Sequence, residues 1–188
     1  MGYINESLIF ESDKIYYSVD DITYEVMMDW ETPLMEASAN YVCKNGGDIL
    51  EIGFGMGISA NFIQSNNINS HTIIENHPDI LPKLYQWASD KPNVTIVEGN
   101  WYQKLNTLST YDGLFYDTFG DDDMVHFNTD ILKSLVKVGG VATWWNSMEE
   151  ESNFYNIPNV TYDVYNVSPP QNNYFNNNKY YLPKCQHQ

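Results

Sequence analysis

The sequence predicts an α/β fold, a central and mostly parallel sheet flanked by helices, with an antiparallel strand pair at its C-terminal end. Three observations carry that prediction. Short apolar runs alternate with longer helical patterns between residues 46 and 146, the rhythm of strand–helix–strand crossovers. The first run, Asp48 to Ile52, passes directly into Gly53-Phe54-Gly55-Met56-Gly57. Glycines in a strand-to-helix turn let backbone N–H groups approach a ligand closely. Beyond residue 160 the pattern changes to two β-rich stretches, 160–167 and 174–182, joined by Ser-Pro-Pro-Gln-Asn-Asn, a turn signal.

A length of 188 residues suits one domain with a three-layer core. Its expected parts are an N-terminal arm (1–21), N-terminal helices (22–45), an α/β core that binds the cofactor (46–146) and the terminal strands (147–188). Nine Lys+Arg against 25 Asp+Glu give a net charge of −16, and all nine cations are lysines. Nucleic-acid binding draws on basic side chains to neutralise phosphate, so no nucleic-acid partner is expected. No apolar run approaches a membrane span, and the first residues have neither the basic region nor the apolar core of a signal. Cys43 and Cys185 stand far apart and form no disulfide framework or metal spacing. A reducing cytoplasm and no metal are therefore expected.

In chain order, Val26, Met27, Trp30, Leu34 and Ala37 fall on a helical period from Ile22, with Pro33 splitting the stretch into two short helices. Strand one is predicted at 47–52 and the first crossover helix at 56–66. Strand two is 71–75, followed by a helix over 78–89 that starts at Pro78. Strand three is 94–97, with a short turn or helix over 101–108. Strand four is 113–116, a helix follows over about 123–137, and strand five is 141–145. Residues 149–159 leave room for a very short helix at most.

Ligands of open α/β sheets bind beyond the carboxyl ends of the strands. Those ends carry the Gly53–Gly57 turn, then Glu75 with Asn76 and His77, Asn100 with Trp101, Asp117, and Asn146. Glu75 lies 22 residues after Gly53, a place from which a carboxylate accepts hydrogen bonds from ribose hydroxyls. A strand-end carboxylate can also be merely solvated, but with the glycine turn before it ribose is the favoured reading. Trp101 suits an adenine face and suits the core equally well. Asp117 directly follows Leu114-Phe115-Tyr116, where it faces a reacting group or caps the next helix. The turn lacks the Gly-Lys-Ser/Thr of a phosphate loop, and its third glycine comes too early for the dinucleotide fingerprint.

Glu51-x-Gly53-x-Gly55-x-Gly57 resembles the turn of class I S-adenosyl-L-methionine (AdoMet) methyltransferases, a Rossmann-like fold. A more specific resemblance covers about residues 22–184. Val26-Met27-Met28-Asp29-Trp30-Glu31-Thr32-Pro33-Leu34-Met35, then Leu50-Glu51-Ile52-Gly53-Phe54-Gly55-Met56, then Tyr116-Asp117-Thr118 are similar to the guanidinoacetate N-methyltransferase family. Val167-Ser168-Pro169-Pro170 and Tyr180-Tyr181-Leu182-Pro183 resemble the end of that family. The resemblance implies that Met27, Met35, Gly53, Phe54, Gly55, Met56, Gly57, Ile58, Glu75 and Trp101 contact AdoMet. It implies that Glu31 and Asp117 grip the acceptor guanidinium, with Asp117 as general base, while backbone at Ser147 and Met148 meets the acceptor's carboxylate.

The implied activity is AdoMet-dependent N-methylation of a small guanidino compound, guanidinoacetate to creatine, releasing S-adenosyl-L-homocysteine. Alternatives are N-methylation of an arginine side chain, or an AdoMet-binding module without chemistry that works through a partner. A homodimer is compatible with either. Three departures bear on the acceptor. The segment after strand five is short, Asn146-Ser147-Met148 keeps only the Asn of the family's Asn-Leu-Thr, and Tyr102 replaces an acidic residue.

Overall fold

The fold is that of a computed structural model, which describes residues 2–148 and 151–188. A three-stranded antiparallel sheet comes first: β1 (Ile9–Phe10), β2 (Lys14–Val19) and β3 (Ile22–Met28). Asp20 and Asp21 both take left-handed φ, 51° and 62°, and close a two-residue hairpin that pairs Val19 with Ile22. Such hairpins require φ > 0 at both central residues. The N-terminal arm expected over 1–21 contains strands β1 and β2, and 22–28 is a strand rather than the expected helix. Hairpin pairing to β2 outweighed an accidental helical spacing of Val26, Met27 and Trp30.

A single turn of 3-10 helix, Asp29–Glu31, leads into α1 (Thr32–Val42). Pro33 sits in its first turn, where the missing N–H costs nothing. Proline thus starts one helix here and does not divide two. The main sheet then builds from β4 (Asp48–Ile52), α2 (Ile58–Ser65), β5 (Ser70–Glu75), α3 (Leu81–Ala88) and β6 (Val94–Glu98). Its second half is α4 (Trp101–Lys104), β7 (Tyr111–Tyr116), α5 (Thr129–Leu135), β8 (Val136–Trp144), β9 (Thr161–Asn166) and β10 (Lys179–Gln186).

Seven strands lie in the order β6-β5-β4-β7-β8-β10-β9. The first five are mutually parallel, while β10 runs antiparallel to both β8 and β9. Chain order therefore reverses between β4 and β7, and a crevice opens beyond their carboxyl ends. The strand interiors are apolar on both faces: Ile49, Leu50, Ile52, Ile73, Ile74, Leu114 and Phe115 are at most 1% exposed. Each such side chain contributes about 1.5–3 kcal/mol on burial.

Other boundaries differ from expectation for local reasons. The long helix expected over 123–137 is a 3-10 turn at Asp122–His126 followed by α5. Asn128 breaks it, because its side chain accepts the N–H groups of Asp130 and Ile131 and caps a new start. Strand five begins at Val136, not at 141, since Val136 already pairs with Tyr111. The last strand begins at Lys179, not at 174, and 151–159 forms turns. The expectation for 149–159 falls partly on Glu149 and Glu150, outside the described residues.

Candidate active site

The glycine turn shapes the crevice. Gly53, Gly55 and Gly57 have φ of 94°, 53° and 73°, values that side-chain-bearing residues rarely adopt. At Gly53 space is also decisive, because a Cβ there would stand 1.9 Å from the carbonyl oxygen of Asp117. Beneath the turn Glu51 is fully buried, accepting the Ser59 hydroxyl and pairing with His71 Nε2 at 2.9 Å. A buried carboxylate with both oxygens partnered braces β4, β5 and α2.

A cavity of about 350 Å³ opens beyond the turn. On one side lie Gly53, Phe54, Gly55, Glu75, Asn76, Asn100 and Trp101. Glu75 Oε1 accepts the N–H groups of Asn76 and His77 at 2.7 and 2.8 Å, and Oε2 accepts Phe54 N–H at 3.0 Å. One acceptor position on Oε2 stays open. Asn100 caps α4 through Tyr102 N–H and Gln103 N–H. Trp101, 3% exposed, lines the cavity and donates Nε1–H to Asp121 Oδ2 at 2.6 Å. That same oxygen accepts the hydroxyls of Tyr116 (2.8 Å) and Thr118 (3.1 Å). Asp121 thereby organises the loop after β7, a role its sequence context did not signal.

The opposite side holds Met27, Glu31, Asp117, Trp145 and Tyr174. Glu31 is 3% exposed, and its Oε1 accepts Met28 N–H at 2.9 Å and the Tyr174 hydroxyl at 2.5 Å. Asp117 holds its place through backbone, Asp117 N–H to the Ile52 carbonyl at 2.9 Å, and among the described residues its carboxylate meets no donor. Burial, then the negative charge of Asp117, pushes Glu31 up to about 8. Burial, then the charge of Glu51, pushes Asp117 up to about 7. The two carboxyl groups face one space and each is poised near neutrality.

Several residues expected at the site stand off its wall. Met35 is fully buried in the core under α1, because the helix turns that face to the sheet. Met56, Gly57 and Ile58 lead into α2 and are not among the residues lining the cavity; Met56 N–H stands 3.2 Å from Sδ of the lining residue Met27. His77 is fully buried against the Tyr3 ring, 4.7 Å between centroids. Asn146 donates to the Tyr181 carbonyl and accepts Met148 N–H at 3.1 Å, tying β8 to β10. Ser147 and Met148 lie exposed beyond it. Two wall residues had gone unnoticed in the sequence. Trp145 was legible as a neighbour of Asn146, whereas Tyr174 sits 143 positions from its partner Glu31.

A strand order with one reversal, a glycine turn at that reversal and a carboxylate at each neighbouring strand end define a class I AdoMet-dependent methyltransferase fold. Solved structures agree. The putative methyltransferase yhhF of Escherichia coli superposes with a TM-score of 0.61 at 13% identity, covering 89% of this chain and 93% of that one. Spermidine synthase of Thermotoga maritima gives 0.64 at 12% identity, over 96% and 72%.

The sequence profile described as guanidinoacetate N-methyltransferase matches residues 12–149, and the chain belongs to that family of AdoMet-dependent N-methyltransferases. Among curated relatives, protein arginine N-methyltransferase 2 of Kluyveromyces lactis is 40% identical over 153 residues, 74% of this chain and 36% of its own length. The protein of the same name from Candida glabrata is 38% identical over 176 residues, 87% of this chain and 40% of its own. The chain spans well under half the length of these relatives. The residues present fit AdoMet: a glycine cradle that a Cβ would fill, an open carboxylate acceptor on Glu75 and a flat apolar wall at Trp101.

Proposed function

We propose that this chain methylates a guanidino nitrogen, and that the guanidine is an arginine side chain and not guanidinoacetate. The observation that carries the choice is the charge of the wall. Glu31, Glu75, Asp117, Asp121, Asp122 and Asp123 line the cavity, and no lysine or histidine does among the described residues. Such a wall attracts a guanidinium and repels an acceptor that carries its own carboxylate. The backbone expected to meet that carboxylate is also engaged, since Met148 N–H already donates to Asn146 Oδ1. The names of the relatives support the same acceptor.

AdoMet, when bound, supplies an electrophilic methyl group on a sulfonium and leaves as S-adenosyl-L-homocysteine. Gly53, Phe54 and Gly55 would hold it by close backbone approach, Glu75 Oε2 would take a ribose hydroxyl, and Trp101 would flank the base. Asn76 and Asn100 complete that side. Met27 lines the cavity with its Sδ beside the glycine turn, 3.2 Å from Met56 N–H.

Glu31 and Asp117 do the work on the acceptor. A guanidinium is planar and resists deprotonation below about pH 12, so it must be held before it can react. Paired N–H···O bonds to two carboxylates fix its plane. Orientation of this kind accounts for up to about 7–11 kcal/mol of a barrier. Glu31 is fixed by two donors and serves as the static half of the clamp. Asp117 has no protein donor among the described residues, so it is the group free to take the proton that the nitrogen sheds as its N–CH3 bond forms. That proton transfer is general-base catalysis.

The deciding experiment offers radiolabelled AdoMet with arginine-containing peptides and, separately, guanidinoacetate. Label is expected on peptide arginine. Efficient conversion of guanidinoacetate with unlabelled peptides would overturn the acceptor assignment.

A further inference from the structure

The connection between β9 and β10, residues 167–178, lies outside the residues covered by the family profile, yet it delivers a side chain to the acceptor wall. Asn172 builds this loop from within. Its Oδ1 accepts the N–H groups of Tyr174 and Phe175 at 2.9 and 2.7 Å, and its Nδ2 donates to the carbonyls of Pro170 and Phe175. Asn173 N–H ties the loop to β3 through Glu25 at 3.1 Å. Tyr174 and Phe175 then stack on the Trp30 indole, each at an interplanar angle of 24°.

The neighbours fix the direction of the Tyr174 hydroxyl. An indole nitrogen can only donate, and Trp30 Nε1–H donates to the Tyr174 oxygen at 3.0 Å. The phenol's own proton therefore goes to Glu31 Oε1, 2.5 Å away. Met28 N–H occupies the same Oε1 at 2.9 Å. With one oxygen held by two donors, Oε2 is the oxygen that Glu31 offers to the cavity.

We propose that Tyr174 is a positioning residue for the acceptor: it locks the Glu31 carboxylate with Oε2 toward the incoming guanidinium. The proposal rests on the clamp assigned above to Glu31 and Asp117. The relay Trp30 to Tyr174 to Glu31 joins the start of α1 to a loop near the C-terminus, so acceptor capture depends on both ends of the chain. Donation by Tyr174 also favours the charged form of Glu31 against the effect of burial. Burial and the Glu31 charge keep the tyrosine itself protonated by raising its pKa far above the ordinary value. It remains a donor throughout the working pH range.

Tyr174→Phe keeps the stacked ring and removes only the hydroxyl. With an arginine-containing peptide as acceptor, KM is expected to rise on the order of tenfold, the loss of one hydrogen bond to a charged group. The acidic limb of the pH profile should move to higher pH, while AdoMet affinity measured by calorimetry stays within about threefold. In a Glu31→Gln background the same change should add less than about twofold. An unchanged KM and pH limb in Tyr174→Phe, beside a raised KM in Glu31→Gln, would overturn the positioning role and leave the clamp standing. An unchanged KM in Glu31→Gln would overturn both. Should Tyr174→Phe lose AdoMet binding as well, Trp30→Phe decides: a smaller move of the pH limb in the same direction is expected, and no move overturns the relay.

Discussion

The two sides of the cavity are built in opposite ways. The side proposed to hold AdoMet comes from consecutive pieces of one sheet: the Gly53–Gly57 turn after β4, Glu75 after β5 and Asn100-Trp101 after β6. Its strand-end carboxylate, Glu75, is braced by three backbone N–H groups. The acceptor side is assembled from distant segments, Glu31 before α1, Asp117 after β7, Trp145 after β8 and Tyr174 between β9 and β10. Its carboxyl groups, the buried Glu31 and the half-buried Asp117, line one cavity and are both raised in pKa. One side is set by local sequence; the other gathers raised carboxyl groups to which the proposed guanidinium acceptor is complementary.

Substitutions should therefore separate the two sides. Asp117→Asn is expected to lower turnover by roughly 10²–10⁴-fold, the usual contribution of a general base, with AdoMet affinity within a few fold by calorimetry. Retained turnover would remove the carboxylate from the role of base. Gly53→Ala should do the reverse, abolishing AdoMet binding first, because the added Cβ meets the Asp117 carbonyl at 1.9 Å and the φ of 94° is unfavourable. Wild-type affinity in that variant would show that the turn is not the cradle. A smaller effect is expected for Glu31→Gln, a rise in acceptor KM of roughly tenfold to a hundredfold, about the worth of one charged hydrogen bond. Steady-state kinetics with peptide acceptors measure it, and an unchanged KM would leave Asp117 to hold the guanidinium alone.

Stability gives the subtlest contrast. Glu31 and Asp117 have folded pKa values of about 8 and about 7, above ordinary values of 4.5 and 3.8. Groups raised in this way stabilise the fold fully below those ordinary values, and that contribution is lost as pH rises through about 7 and 8. The acceptor-free protein should accordingly melt lower at pH 8.5 than the Glu31→Gln variant relative to their melting points at about pH 6, by roughly 2–4 °C per kcal/mol of repulsion removed. Parallel pH dependence in the two proteins would show that Glu31 is not raised by its burial and the charge of Asp117.

The same division explains what could be read from the sequence. Strands β4 to β7 and the glycine turn were legible because each is a short apolar run ending in residues of special chemistry. Glu75 and Asp117 followed from standing at strand ends. Strand β3 was not legible: Val26, Met27 and Trp30 mimic a helical period, and the Asp20-Asp21 turn lacks the Asn-Gly or Asp-Gly that marks a tight hairpin. Met35 matched a motif but faces the core, since helix rotation depends on what α1 packs against. Tyr174 was invisible because no local pattern links it to a glutamate 143 residues away.

Proton release on acceptor binding tests the central claim most directly. Calorimetry of an arginine-containing peptide binding at about pH 7.5, repeated in buffers of different ionisation enthalpy, counts protons exchanged. Two raised carboxyl groups that both grip one guanidinium must give up protons to do so. Net release approaching one proton is therefore predicted. Heats independent of buffer, or proton uptake, would contradict a guanidinium held between Glu31 and Asp117.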